Sequence, residues 1–186
     1  DSAAIVWEWK LWDHLVQNYD AAKANFGSVS ESPNLVNINY FPSANNSPDW
    51  IHFNSIDYNE DLDQILLSSH TFSEVWIIDH STTTLEAASH TGGNAGKGGD
   101  LLYRWGNPQA YQRGNPSTKK FYGQHHATWI PTNFPNAGKI LVFNNGLSRP
   151  GTFSSVDMIE PPINGFNYDL TISAPYSPSD LFWTYT

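Results

Sequence analysis

Between Ile51 and Trp105, four short runs of β-branched and aromatic residues follow one another, each closed by a turn cluster. This rhythm constrains the fold more than any other feature of the chain. Ile51-His-Phe-Asn-Ser-Ile-Asp-Tyr58 alternates bulky and polar side chains, as a half-buried strand does. Asn59-Glu-Asp-Leu-Asp63 supplies a turn, and Gln64-Ile-Leu-Leu-Ser-Ser69 a second strand. Glu74-Val-Trp-Ile-Ile-Asp79 is a third, and Ser81-Thr-Thr-Thr84 its turn. Leu101-Leu-Tyr-Arg-Trp105 is the fourth. Consecutive strands joined by short turns pair as an antiparallel meander, the unit of a propeller blade.

A degenerate second copy follows. His126-Ala-Thr-Trp-Ile130, Lys139-Ile-Leu-Val-Phe143, Ser154-Ser-Val-Asp-Met-Ile159 and Asp180-Leu-Phe-Trp183 are its strands, with Asn144-Asn-Gly146 a strong turn signal between the second and third. Ile5-Val-Trp-Glu-Trp9 reads as one more strand, the counterpart of those ending in Trp105 and Trp183. Trp12 to Tyr19 reads as a short helix with Asp13 placed to cap it. The pattern therefore predicts an all-β, β-propeller-like chain with two to three four-stranded antiparallel blades. Residues 1–186 form a single propeller segment, with blade-like units at about 50–105 and 122–186 and an outer strand, helix and long loop over 1–49. Long loops at about 10–49, 85–99 and 106–124 stretch the repeat beyond the roughly 40–50 residues of a compact blade, and loops of that length are usually functional. A closed propeller needs 4–8 blades, so further blades or a partner chain would have to complete a ring. A start at Asp1 rather than Met likewise predicts a processed protein or a segment of a longer one.

Composition excludes several chemistries. The 186 residues contain no cysteine, which rules out disulfides, thiolate zinc sites, iron–sulfur clusters and cysteine nucleophiles. A net charge of −9 opposes binding to nucleic-acid phosphates. No apolar run approaches the ~18 residues of a membrane-spanning helix. Charged residues make up only 15%, against roughly 25% in ordinary soluble domains. Neutral polar residues take their place, which fits a secreted or periplasmic protein. The 8 Trp, 9 Tyr and 10 Phe are read chiefly as sheet-packing residues, with some available to stack on a phenol or a sugar.

Histidines are the residues most able to carry chemistry. His52 and His125 sit near the start of the first strand of each unit, Asn54 lies on the face of His52, and His70 closes the second strand of the first unit. In a propeller these positions converge on the central channel. The set His52, His70 and His125 could also be read as strand-borne zinc or copper ligands, but no carboxylate support is evident. Asp57-x-Asn59-x-Asp61-x-Asp63 has oxygen ligands on alternate residues but lacks the glycine and the closing glutamate of a calcium loop, and reads as a solvated hairpin turn. Gly92-Gly-Asn-Ala-Gly-Lys-Gly-Gly99 lacks the Lys-Ser/Thr ending of a phosphate-binding loop and reads as a flexible connection. Asn45-Asn-Ser47 is a formal glycosylation sequon followed by Pro48.

Asp49-Trp-Ile-His-Phe-Asn-Ser-Ile56 resembles the His-x-Asn-Ser segment of the bacterial aryl-sulfate sulfotransferases. Gly123-Gln-His-His-Ala127, with Ile140-Leu-Val-Phe-Asn-Asn-Gly146, is similar to their Gln-His-x-Ala segment and the turn that follows it, and Gly99 to Tyr111 resembles their secreted relatives. The resemblance implies a six-bladed propeller that needs no cofactor. It also implies transfer of a sulfuryl group from a phenolic sulfate ester to a histidine and then to a phenol. By motif, His125 falls at the nucleophile's position, with His126 one residue away as the alternative. His52 and Asn54 fall at oxyanion-binding positions. Ser68-Ser-His70 stands where the family has Ser-Ser-Arg, so a titratable group replaces a fixed cation at His70. The family's further histidine and threonine have no match here. The alternative is a non-catalytic secreted propeller that retains these motifs as a binding or scaffold module.

Overall fold

The chain is all-β with little helix. A computed structural model describes residues 3–40 and 48–186. The Asn45-Asn-Ser47 sequon lies outside the described residues.

Near the N-terminus, β1 (Leu15–Val16) pairs in parallel with β2 (Val36–Asn37). Then come β3 (Phe53–Asn59), β4 (Gln64–Ser69) and β5 (Glu74–Asp79), a single turn of helix α1 (Thr84–Ala87), and β6 (Tyr103–Trp105). These four strands form one antiparallel sheet in the order β3-β4-β5-β6. After a long connection, β7 (His125–Trp129), β8 (Ile140–Asn144) and β9 (Ser155–Ile159) start a second sheet. A small hairpin of β10 (Ile163–Asn164) and β11 (Asn167–Tyr168) intervenes before β12 (Trp183–Tyr185) completes it, in the order β12-β9-β8-β7.

Local chemistry fixes these boundaries. In the β3–β4 turn, Leu62 N–H donates to Asn59 Oδ1 at 3.1 Å and Asp63 adopts a left-handed φ of 50°. Two of the three carboxylates of the calcium-like pattern are committed elsewhere: Asp57 accepts from Trp129 N–H at 2.8 Å, and Asp63 from Tyr58 Oη at 2.8 Å. Helix α1 starts on a reciprocal capping box between Thr83 and Glu86. The Asn144-Asn-Gly146 turn needs its glycine, since φ is +73° and a Cβ would lie 1.9 Å from Phe153 O.

Two N-terminal expectations are corrected. Ile5 to Trp9 is not a strand. It is held by its indoles, Trp7 Nε1 donating to Thr82 Oγ1 at 3.2 Å and Trp9 Nε1 to Gly99 O at 2.7 Å. The segment from Trp12 to Tyr19 is not an α-helix. It makes a 3-10 turn over Leu11–His14 and then extends into β1. Leu15 and Val16 mimic a helical apolar face, but both bury themselves by pairing with Val36 and Asn37.

The core lies on β4, β5 and the connection beyond β6. All six residues of β5 are buried, and Leu66, Phe72, Leu101, Leu102 and Tyr103 pack with them. The second sheet adds Ala127, Trp129, Ile140, Val142 and Ile159 to the same core. The sheets meet along β3 and β7. There Ser55 Oγ accepts from Ala127 N–H at 2.9 Å, alongside the Asp57–Trp129 bond. The stretch between β11 and β12 straps back across the first sheet, where Tyr103 Oη and Trp105 Nε1 donate to the carbonyls of Ser177 and Pro178 at 2.8 and 2.7 Å.

Candidate functional site

Where β3 and β7 begin side by side, three histidines come together. His52 precedes β3 with a left-handed φ of 50°, a conformation uncommon outside glycine and often found at functional sites. Its carbonyl accepts from His70 N–H at 3.1 Å, which ties the end of β4 to the start of β3. The His70 ring lies between the other two, with centroids 4.7 Å from His52 and 5.3 Å from His125.

Each ring has a distinct electrostatic setting. His52 Nδ1 faces the carboxylate of Asp49, so that nitrogen carries a hydrogen. His70 has its pKa pushed below the usual 6.5 by burial first, then by the neighbouring His52 and His125, with Asp49 opposing. It is therefore a neutral imidazole at pH 7. His125 Nδ1 lies 3.1 Å from Asn145 Oδ1. An amide oxygen only accepts, so Nδ1 donates and the lone pair of the neutral ring resides on Nε2. His126 is exposed and left-handed, with φ 53°.

Residues 123 and 124 build the floor. A Cβ on Gly123 would lie 2.9 Å from His70 Nε2, and its φ of +65° favours glycine, so this backbone passes directly beneath the His70 ring. Gln124 is fully buried, and its Nε2 faces Ser68 Oγ, Ser69 O and Glu74 O at 3.1, 3.0 and 2.8 Å. The main chain before His125 is thereby pinned to β4 and β5. Asn54 Nδ2 donates to Gln124 O at 2.8 Å, while Asn54 Oδ1 is buried without a partner. Beside His52 runs an open groove of about 510 Å³, walled by Trp12, Trp50 and Phe53 with Asp49 at its rim. The Trp12 and Trp50 rings stack with centroids 6.1 Å apart.

All four residues singled out in the sequence thus lie at one junction, although Asn54 bridges the strands through its amide rather than facing open space with both of its N–H groups. Sequence reasoning missed Asp49, Asn145 and the anchoring role of Gln124. Asp49 stands three residues before His52, and Asn145 lies in a turn read only as a turn. The Gln-His pairing at 124–125 was the one available signal for Gln124.

The chain is thus an all-β frame of antiparallel four-stranded sheets with imidazoles gathered where two sheets meet. The model of the arylsulfotransferase (ASST) family matches residues 1–160, and the chain belongs to that family. No curated protein matches it. Membership suggests an aryl sulfotransferase-like function with phenolic substrates. No helix among the described residues is long and apolar enough to cross a membrane.

Proposed function

We propose that the two sheets are blades of a propeller-like frame and that their junction transfers a sulfuryl group from a phenolic sulfate ester to a phenol through a sulfohistidine at His125. The observation that carries this reading is the hydrogen bond from His125 Nδ1 to Asn145 Oδ1, which leaves Nε2 as the nucleophilic nitrogen. Nε2 attacks sulfur, the S–O bond to the aryl group breaks, and the phenolate departs. The resulting sulfoimidazolium keeps its Nδ1–H on Asn145. The acceptor phenol then attacks sulfur, its proton passes to the His52–Asp49 pair, and the N–S electrons return to Nε2. In this scheme His70 donates an N–H to the sulfuryl oxygens, the second N–H of Asn54 supplies a further donor, and His52, with its Nδ1–H on Asp49, keeps Nε2 free to take the proton. The aromatic groove beside His52 suits a phenol ring. A chain poor in charged residues and rich in neutral polar ones suits an extracytoplasmic enzyme.

The test is intact mass after incubation with 4-nitrophenyl sulfate. We expect one added sulfuryl group with nitrophenol release, both abolished in His125→Ala. Full activity in that variant would overturn the assignment, and loss in His126→Ala alone would move the nucleophile by one residue. One feature favours the second reading, a non-catalytic binding module. His70 is a neutral ring with a single N–H where the family carries a fixed cation with several, and each donor lost costs about 2.7–4 kcal/mol of transition-state stabilisation. A folded protein that yields neither adduct nor nitrophenol supports that module.

A further inference from the structure

Away from the histidine junction, three side chains from distant parts of the chain converge beneath the N-terminal segment. His14 ends the Leu11–His14 turn, His90 follows α1, and Asp100 precedes β6. Their ligand atoms all lie within 4.8 Å of one another. His14 is fully buried and the Asp100 side chain nearly so, whereas that of His90 is 61% exposed. We propose that His14, His90 and Asp100 bind a divalent transition-metal ion, zinc by the character of the donors, which clasps the N-terminal segment to the β5–β6 connection.

The hydrogen bonds around the cluster carry the argument. Both imidazoles aim Nδ1 at one oxygen, Asp100 Oδ1, at 2.9 Å from His14 and 2.7 Å from His90. His14 Nε2 lies 2.8 Å from Ala87 O. A carbonyl only accepts, so Nε2 bears a hydrogen and Nδ1 is the ring nitrogen turned to the carboxylate, the atom through which His14 would ligate. Asn34 Nδ2 donates to the other carboxylate oxygen at 2.6 Å. A ligating histidine that donates its second N–H to a backbone carbonyl, and a ligating carboxylate held by an amide, are the supports that orient metal ligands in proteins. Two imidazoles and a carboxylate suit zinc and leave a fourth position for water. A solvent-connected cleft of about 830 Å³, lined in part by Asn34, His90 and Asp100, provides access.

The surroundings hold this geometry tightly. Trp9 stacks on His14 at 5.8 Å with the rings 1° from parallel, and its indole donates to Gly99 O at 2.7 Å. A Cβ on Gly99 would lie 2.0 Å from Ala87 O and 2.5 Å from His14 Nε2, so position 99 has no room for a side chain.

The test is isothermal titration of metal-free, untagged protein with zinc chloride, with the absorption spectrum of the cobalt-loaded protein as a second readout. We expect one zinc per chain and a tetrahedral cobalt spectrum. His90→Ala removes an exposed ligand and so preserves the fold; it should abolish both signals. Asn34→Ala should weaken binding about 10–100-fold. His125→Ala should bind zinc as the unmodified protein does. The proposal is overturned if the unmodified protein takes up no zinc, if His90→Ala binds it unchanged, or if His125→Ala is the variant that loses it.

Discussion

At the scale of single residues, His70 is the group whose titration the structure fixes. Burial and two neighbouring imidazoles lower its pKa from 6.5 in the folded chain. On acidification below pH 6.5, the unfolded chain takes up a proton that the folded chain still refuses. The contribution of His70 to stability is therefore fully present above 6.5 and is lost as the pH falls towards the lower folded value. His70→Gln should flatten the decline of Tm measured on either side of pH 6.5, and an unchanged slope would show that His70 is not its source. The grouping of His52, His70 and His125 was legible in the sequence because each stands at or next to a strand boundary of a repeating unit, and equivalent boundaries of adjoining sheets lie at the same end. Their hydrogen-bond partners were not legible. Whether Asp49 or Asn145 reaches a ring depends on loop paths and on left-handed residues such as His52, which no alternation pattern encodes. His14, His90 and Asp100 left no pattern at all, since 86 residues separate the first from the last.

Elements explain why the junction holds its shape. The β3 and β7 strands belong to different sheets and meet through side chains bonding to backbone rather than through a continuous ladder. Gln124 sits behind this seam and satisfies the buried carbonyls of Ser69 and Glu74. Gln124→Leu keeps the volume but strands those acceptors, at a cost of about 2–3 kcal/mol. Chemical denaturation should show that loss, whereas Ser68→Ala, which removes only the hydroxyl partner, should cost about 1 kcal/mol. Equal effects would mean that Gln124 acts by filling space. The eight strands of the two sheets were legible from alternation and turn chemistry, with shifts of a few residues at their ends. The N-terminal segment was not. Trp7 and Trp9 alternate like strand residues, and Trp12, Leu15, Val16 and Tyr19 recur like helix residues, but tertiary partners overrode both local patterns. The indoles found Thr82 and Gly99, and Leu15–Val16 found Val36–Asn37.

Across the whole molecule, the guanidinium of a buried ion pair within the first sheet reaches parts that lie outside it. Arg104 on β6 and Glu74 on β5 are both fully buried, with Nε and Nη2 of the guanidinium 3.1 and 2.5 Å from the two carboxylate oxygens. Burial pushes the Glu74 carboxyl up, and Arg104 pulls it back. The same guanidinium donates from Nη1 to Leu35 O at 3.0 Å and lies 4.5 Å from the centroid of the Tyr111 ring. It therefore links the first sheet to the N-terminal segment and to the connection leading to β7. Arg113 extends the link, donating to Ser30 O at 2.6 Å and Ala174 O at 2.8 Å. Removing one partner of such a pair leaves a buried charge uncompensated, which costs about 3–5 kcal/mol, whereas replacing both with apolar residues of similar volume is often neutral. Glu74→Ala should therefore lower Tm by roughly 6–20 °C for a chain of this size. The double variant Glu74→Leu, Arg104→Met should recover much of the sheet's stability. It would still leave Leu35 O without its donor, so limited proteolysis should cut the N-terminal segment faster than in the unmodified protein. If the double variant protects that segment fully, Arg104 is not what fastens it, and the indole bonds of Trp7 and Trp9, the Arg113–Ser30 bond and the packing of β1 and β2 hold it without that guanidinium.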